Sequence, residues 1–156
     1  MNQPIVQQAA VRDVEFGARV EIVQPCNLYG CRIGDDCFVG PFTEIQKSAV
    51  VGARTRVQSH AFICELVTIG EDCFVSHGVM FVNDSFSSGG PAGGRKELWR
   101  ATEVGNRVSI GSNATIMPVR IVDDVVIGAG SVVTKDITAA GTYAGNPARL
   151  LELRGG

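Results

Sequence analysis

The chain has 156 residues, of which 45% are hydrophobic and 6% aromatic, and its formal net charge is −2 at pH 7. Such a chain lacks the basic surface that neutralises nucleic-acid phosphates, so general nucleic-acid binding is excluded. No apolar run reaches the roughly 18 residues of a membrane span, and no signal peptide is recognisable. We therefore expect one domain, residues 1–156, that does not insert into membranes.

Aliphatic residues recur at every sixth position of the first half of the chain, from Val14 and Val20 onward. The uninterrupted series is Ile33, Val39, Ile45, Val51, Val57, Ile63, Ile69, Val75 and Phe81. This period fits neither an amphipathic helix nor one long strand, and a β-sandwich is disfavoured because residues do not alternate with a period of two. It is typical of an all-β parallel β-helix built from hexapeptides. We predict such a coil over residues 14–82.

The repeat stops after Phe81. Residues 83–103 lack the pattern and carry four glycines and a proline between Gly89 and Gly94, which predicts a long loop of the kind that is more often functional than not. The coil resumes over 104–140, with a one-residue slip near Pro118. Residues 141–156 form a tail, for which we predict a short C-terminal helix within 148–154. The expected inward residues of the second coil are Val104, Ile110, Ile116, Ile121, Ile127 and Val133.

The five cysteines are interpreted as structural. Cys37 and Cys73 occupy the small inward position two coils apart, so they should fill the core and cannot form a disulfide bond. Buried free thiols suit a reducing cytoplasm, where we expect the protein to be located. Because no CxxC motif occurs, a zinc site built on cysteine is not expected.

The only two histidines, His60 and His77, lie 17 residues apart and so near the same corner of neighbouring coils. A turn histidine is ordinarily a solvated surface residue. Two near one corner, followed by Asn83 and Asp84 at the start of the loop, favour a functional site instead. A zinc site of three histidines would lack its third ligand, so we predict no bound metal.

Segments across about residues 14–151 resemble the hexapeptide acyltransferase superfamily, notably IGAGSVVTKDI and GNPAR. The segments SHAFICE and SHGVMFVND are similar to bacterial N-acetyltransferases that act on nucleotide-linked 3-amino sugars. The resemblance implies that the β-helix is left-handed. It also implies a homotrimer with acetyl-CoA in the grooves between adjacent chains, serving lipopolysaccharide, O-antigen or other surface-glycan synthesis.

The resemblance also implies the residues that bind acetyl-CoA. Small residues would let the pantetheine arm lie against the backbone, and Lys135 would place a charge near a phosphate. Two residues of the tail would contact the adenine end. The implied residues are Ser112, Ala129, Thr134 and Lys135 for the arm and phosphates, and Pro147 and Arg149 for adenine.

The catalytic hypothesis follows from one departure from related sugar acetyltransferases, because the loop of this chain has no histidine. An amine on a sugar is partly neutral near pH 7 and needs no strong base, whereas a hydroxyl does. We expect Asn83 to position the amine, His77 or Asp84 to receive a proton late, and backbone N–H groups near Gly78 to stabilise the oxyanion.

Three further residues are expected near the sugar nucleotide. Glu65 and His60 lie one coil below the catalytic residues and would contact the sugar, while Trp99 either stacks on a base or anchors the end of the loop. Two other functions stay open at this point. One is O-acetylation of a sugar or small alcohol, and the other is a non-catalytic trimeric scaffold.

Overall fold

The structure is a computed structural model, and it describes residues 4–5 and 7–151. The chain coils through three sheets, and each coil contributes one short strand to sheet B, then to sheet C, then to sheet A. Sheet A contains seven strands: β1 (Val11–Arg12), β4 (Asn27–Tyr29), β7 (Glu44–Ile45), β10 (Phe62–Ile63), β13 (Met80–Phe81), β16 (Thr115–Ile116) and β19 (Val132–Val133). This agrees with the expected left-handed parallel β-helix.

The other two sheets are built in the same way. Sheet B contains β2 (Glu15–Phe16), β5 (Arg32–Ile33), β8 (Val50–Val51), β11 (Val67–Ile69), β14 (Thr102–Val104) and β17 (Arg120–Ile121). Sheet C contains β3 (Glu21–Ile22), β6 (Phe38–Val39), β9 (Arg56–Val57), β12 (Phe74–Val75), β15 (Ser109–Ile110), β18 (Val125–Ile127), β20 (Gly141–Gly145) and β21 (Ala148–Leu150). A 3₁₀-helix, Lys96–Leu98, interrupts the segment between β13 and β14.

The predicted inward residues form the core. Every member of the series from Ile33 to Phe81 is 1% exposed or less, and those of the second coil are 4% exposed or less. The residues four places after each member from Ile33 to Val75 are also buried, and the hydroxyl of Thr55 donates to the Gly70 carbonyl at 2.9 Å. Each fully buried aliphatic side chain contributes about 1.5–3 kcal/mol by leaving water. The hexad pattern therefore both defines and stabilises the coil.

Three columns of turns join the sheets, and we name each by the sheets that it connects. The BC corner comprises 17–20, 34–37, 52–55, 70–73, 105–108 and 122–124. The CA corner comprises 23–26, 40–43, 58–61, 76–79, 111–114 and 128–131. The AB corner comprises 30–31, 46–49, 64–66, 82–101, 117–119 and 134–136.

Most of the turns contain one residue in the left-handed region of φ and ψ. Seven successive hexads place a residue other than glycine there, with φ between 55 and 70°. They are Asp36, Phe42, Ser48, Arg54, His60, Leu66 and Asp72. Such residues are uncommon, and they persist because the stacked neighbours impose the turn on each coil. Side-chain chemistry at this position is therefore free to differ from corner to corner.

The BC corner carries charges that alternate in sign along the column. Arg19 pairs with Asp36, and Arg54 Nε donates to Asp72 Oδ1 at 2.7 Å. Arg107 Nε donates to Asp124 Oδ1, also at 2.7 Å. The hydrogen bonds from these guanidinium groups lower the pKa of Asp36, Asp72 and Asp124. The arginine and aspartate side chains of the BC corner therefore pair with one another.

The tail departs from the sequence prediction. Residues 148–150 form the strand β21, which pairs antiparallel with β20, so the predicted C-terminal helix is wrong over these residues. Strand β20 pairs in parallel with β18 and would leave an open sheet edge at the end of the coil. The returning strand covers that edge, and pairing outweighs local helix propensity there. Residues 152–154 of the predicted helix lie outside the described part of the chain.

All five cysteines are buried and free, in agreement with the structural interpretation. The Cys37 thiol donates to the Gly52 carbonyl at 3.1 Å. Burial raises the pKa of Cys31 to about 11 and that of Cys64 to about 12. No helix within residues 4–5 and 7–151 is long and apolar enough to cross a membrane.

Candidate active site

Many of the predicted site residues lie in the two columns of turns that flank sheet A, the CA corner and the AB corner. His77, Ser112 and Ala129 take the same place in three successive turns of the CA corner, above Ser59. Backbone N–H···O=C bonds of 2.8–3.1 Å join each of these turns to the next. The structure therefore aligns His77 with two of the residues expected to bind the cofactor.

The two histidines occupy successive turns of the CA corner and make different contacts. His77 Nδ1 lies 2.8 Å from the Ser59 hydroxyl, which orients the imidazole while leaving its other nitrogen toward solvent. His60 has a positive φ of 63°, and its ring centroid lies 4.8 Å from that of Phe42. The predicted common corner is therefore present. Ser59 was missed, although it precedes His77 by 18 residues, three hexads.

The turn around Gly78 does not supply the expected oxyanion donors. The Gly78 N–H donates to the Ser59 carbonyl at 3.1 Å, and the Val79 N–H donates to the Ser76 carbonyl at 3.4 Å. Both groups are used within the coil because stacked turns satisfy each other's backbone. The prediction of oxyanion stabilisation by these two N–H groups is therefore wrong for the described conformation.

Asn83 lies at the start of the long loop of the AB corner and also contacts the end of that loop. Its Nδ2 donates to the Glu65 carbonyl of the turn below at 3.2 Å. Its own carbonyl accepts a hydrogen bond of 2.9 Å from the Arg100 N–H at the end of the excursion. The side chain is half-buried. Asn83 is thereby held in a fixed position with its Oδ1 available to a ligand.

Asp84, the predicted alternative proton acceptor, binds the backbone of the loop. Its Oδ1 accepts from the Phe86 N–H at 3.0 Å, and its Oδ2 accepts from the Ala92 N–H at 2.7 Å. Both oxygens thus stabilise the loop, as aspartate commonly does in turns. This geometry favours His77 over Asp84 as the proton acceptor.

Glu65 lies beside Asn83 and pairs with the loop. Lys96 Nζ lies 2.8 Å from Glu65 Oε1 and 2.7 Å from Oε2. The same ammonium nitrogen lies 5.1 Å from the centroid of the Trp99 ring, a cation–π arrangement. Trp99 is half-buried at the end of the loop, consistent with anchoring. The role of Lys96 leaves no signal in the sequence because its partner lies 31 residues away, outside any repeat.

A chain of polar side chains continues from Glu65 down sheet A. The Glu65 N–H donates to Gln46 Oε1 at 3.4 Å, and Gln46 Nε2 donates to Glu44 Oε1 at 2.7 Å. Asn27 Nδ2 donates to Glu44 Oε2 at 3.1 Å. Burial, with the charges of Glu44 and Glu65, raises the pKa of Tyr29. Polar residues at outward positions 17 apart were the signal for this surface.

His77 lies in the CA corner and Asn83 lies in the AB corner, at opposite ends of the strands of sheet A. The strand β13 runs between their turns, and six residues of extended chain span up to about 20 Å. The sequence-based hypothesis placed both residues at one reacting centre. A single chain does not bring them together.

Three of the predicted cofactor residues surround one cavity near the end of the coil. Thr134, Lys135 and Arg149 line a pocket of about 250 Å³ together with Tyr143. Pro147 lies in the turn between β20 and β21, beside this pocket. Ser112 and Ala129 lie at the other edge of sheet A and do not line it. Lys135 and Arg149 offer two cations to an anionic ligand such as a phosphate, and Asp136 contributes one negative charge to the same lining.

Metal chemistry has no evident ligand set in the described part of the chain. Residues 4–5 and 7–151 contain no group of three or more His, Cys, Asp or Glu side chains that could hold a metal ion. The titratable residues near Asn83 instead pair with a lysine or bind the backbone.

Two family models match the coil. The model described as bacterial transferase hexapeptide (six repeats) matches residues 30–65, and the hexapeptide repeat of succinyl-transferase matches residues 102–135. Curated relatives include the bifunctional protein GlmU of Synechococcus elongatus, 32% identical over 134 residues, which covers 85% of this chain and 27% of the relative. The GlmU of Paramagnetospirillum magneticum is 28% identical and covers 91% and 33%. The chain spans a third or less of these relatives.

Solved structures with the same fold include several acyltransferases. A galactoside acetyltransferase in complex with coenzyme A is 29% identical with a TM-score of 0.65, covering 77% of this chain and 63% of that chain. AntD, an N-acyltransferase from Bacillus cereus in complex with dTDP and coenzyme A, is 20% identical with a TM-score of 0.78, covering 93% and 86%.

A GDP-perosamine N-acetyl transferase from Caulobacter crescentus in complex with CoA and GDP-perosamine is 18% identical with a TM-score of 0.65, covering 92% and 58%. At this identity the last two structures establish the fold alone. The matched repeats, the coiled sheets and their stacked corners lead to one conclusion. The resemblance of the chain to hexapeptide-repeat acyltransferases is thereby confirmed.

Proposed function

We propose that the protein is an acetyl-CoA-dependent N-acetyltransferase. Its acceptor is the amino group of a nucleotide-linked sugar, dTDP or UDP, with a 3-amino sugar favoured, and its product serves lipopolysaccharide, O-antigen or other surface-glycan synthesis. The observation that carries the proposal is the hydrogen bond from Asn83 Nδ2 to the backbone carbonyl of Glu65, a residue whose carboxylate accepts an ammonium, that of Lys96. A fixed amide next to a residue that binds an ammonium suits an amine better than a hydroxyl, which would require a base.

Some of these residues orient the acceptor amine, and others balance its charge or accept its proton. Asn83 uses its Nδ2 on Glu65, so its Oδ1 can accept a hydrogen bond from the acceptor amine. The carboxylate of Glu65 offsets the charge of the ammonium form before attack. His77, oriented by Ser59, receives the proton that is lost late in the reaction. Most of the rate gain then comes from proximity, since a neutral amine is already nucleophilic.

The cofactor residues suit a thin amide-bearing arm with an anionic end. Ser112 and Ala129 present a narrow surface along the CA corner, against which pantetheine can lie. The pocket of Thr134, Lys135 and Arg149 offers cations for the phosphates. His60 with Phe42, and Trp99 at the end of the loop, lie at the margins where the sugar nucleotide would extend.

The positions of His77 and Asn83 support a homotrimer. One chain holds them at opposite edges of sheet A, so a complete site requires the CA corner of one protomer to face the AB corner of the next. A closed threefold ring makes three such identical clefts through heterologous contacts. The proposed function and the proposed assembly therefore depend on each other.

O-acetylation of a sugar or small alcohol is the second candidate. The hydrogen bond between His77 and Ser59 favours it, because an oriented imidazole can act as a general base. The similarity to a galactoside acetyltransferase also supports it. The absence of histidine from residues 83–101 counts against it.

A thiol-release assay separates these functions. Purified protein is incubated with acetyl-CoA and a panel of UDP- and dTDP-linked 3-amino and 4-amino sugars, with the matching hydroxyl sugars as controls. We expect coenzyme A release with an amino sugar only. Release with hydroxyl sugars alone would support O-acetylation. No release with any acceptor, and no rise in melting temperature with coenzyme A, would support a non-catalytic scaffold.

A further inference from the structure

The ion pair of Lys96 and Glu65 places a primary ammonium on the carboxylate of the residue whose backbone carbonyl binds Asn83 Nδ2. The Glu65 side chain is 16% exposed, whereas that of Lys96 is 58% exposed. The carboxylate is therefore built into the surface, and the ammonium reaches it from the solvent side. Two backbone contacts fix Glu65 in place, one to Asn83 Nδ2 and one to Gln46 Oε1.

Lys96 itself is weakly held. It begins the 3₁₀-helix of the loop, in which no residue is buried and whose first residue lacks a side-chain cap. Its ammonium contacts the carboxylate on one side and faces the Trp99 ring on the other. Because the lysine of this pair is exposed, its ammonium can leave the carboxylate for solvent at little cost in stability. A competing cation can therefore take its place at Glu65.

An amino sugar carries the same head group as lysine. We propose that Lys96 determines acceptor specificity by occupying the ammonium position of the site, from which the substrate's own ammonium displaces it. This inference rests on the proposed N-acetyltransferase function. A hydroxyl sugar brings no charge to replace that of Lys96, so it leaves the pair of Lys96 and Glu65 intact and is excluded from the position beside Asn83.

The displacement fits the chemistry of the whole cycle. After binding, the ammonium loses one proton, and the nitrogen lone pair forms a bond to the carbonyl carbon of the thioester. The C–S bond breaks with its electron pair on sulfur, and the second proton from nitrogen passes through His77 to the thiolate, giving the thiol of coenzyme A, while the first proton has left to solvent. The amide product is neutral and cannot pair with Glu65. Lys96 then returns and favours product release.

The experiment uses Trp99, the only tryptophan of the chain, as a fluorescent reporter. Wild type, Lys96→Met and Lys96→Arg are titrated with a dTDP-linked 3-amino sugar and with the same sugar bearing a 3-hydroxyl. Lys47→Met is the matched control, since Lys47 is an exposed lysine of the same corner two coils below Lys96. Steady-state kinetics by thiol release accompany each titration.

In wild type we expect the amino sugar, and not the hydroxyl sugar, to change the Trp99 emission. Lys96→Met should show the changed emission without ligand, and its KM for the amino sugar should fall about 3- to 10-fold, because the internal competitor is gone. Lys96→Arg keeps a cation on Glu65 and should retain the wild-type emission and KM. Lys47→Met should match wild type.

A higher KM in Lys96→Met would show that Lys96 only clamps the loop, and an equal fall in Lys47→Met would reduce the effect to general charge removal. Either result overturns the proposal while wild-type acetylation of the amino sugar leaves the proposed function standing. If wild type acetylates no amino sugar, the proposed function fails and this inference fails with it.

Discussion

The BC and AB corners share one backbone and differ in chemistry. At the BC corner, Arg54 and Asp72 neutralise each other, as do the other alternating charges of that column. At the AB corner, the coil opens into residues 82–101, where Asn83 binds the Glu65 carbonyl and the Glu65 carboxylate pairs with the exposed Lys96. The stacked turns provide rigidity at both corners. At the BC corner this rigidity supports ion pairs that stabilise the coil, and at the AB corner it fixes the proposed binding surface.

The largest expected effect that separates the two corners is that of Asn83→Ala. Loss of the amide that orients the amine should reduce turnover about 10- to 1000-fold, the usual range for removing one polar catalytic contact. The half-buried side chain makes one hydrogen bond to Glu65, so the melting temperature should change little. Steady-state kinetics and thermal melts measure both. Full activity in this variant would remove Asn83 from the mechanism.

The next effect concerns the CA corner. In His77→Ala, N-acetylation should fall by no more than about 10-fold, because a neutral amine attacks without a base. If the acceptor is a hydroxyl, the loss should reach about 100- to 10000-fold. Ser59→Ala serves as a partial control, since it releases the imidazole without removing it. The size of the loss therefore discriminates between the two acceptor classes.

A smaller effect is expected at the BC corner. Arg54→Ala removes the hydrogen bonds to Asp72 and Glu71 and leaves like charges along the column. The melting temperature should drop slightly at low salt and less at high salt, because these groups are exposed and screened. Turnover should stay at the wild-type level. A loss of turnover as large as that of Asn83→Ala would contradict the division of labour between corners.

The smallest effect is a dependence of stability on acid. The pKa of Asp36, Asp72, Asp123 and Asp124 is lowered in the folded protein. Their stabilisation is complete above the unfolded pKa of about 3.9 and is lost as the pH falls through the lower folded values. Chemical denaturation between pH 6 and pH 2 tests this, and Arg107→Ala should flatten the slope below about pH 4. A slope unchanged in Arg107→Ala would contradict the assignment.

The features of the fold that depend on the six-residue repeat could be predicted from the sequence. The inward residues from Ile33 to Phe81, the three-sided coil and the shared corner of His60 and His77 all follow from a period of six. Contacts between segments that are far apart in the sequence do not follow from this period. The β20–β21 hairpin depends on an open sheet edge, and the pairing of Lys96 with Glu65 depends on the path of an irregular loop. Neither feature leaves a periodic signal.

The central claim is that each active site is shared by two protomers, and mixed trimers test it most directly. Asn83→Ala disables the AB corner, and Ala129→Trp fills the cofactor surface of the CA corner. The two variants are unfolded together in equal amounts, refolded and assayed by thiol release with an amino sugar. Random assembly should restore about one quarter of the wild-type sites, since one intact corner from each variant then meets at an interface. Activity no greater than the average of the two separate variants would contradict a shared site.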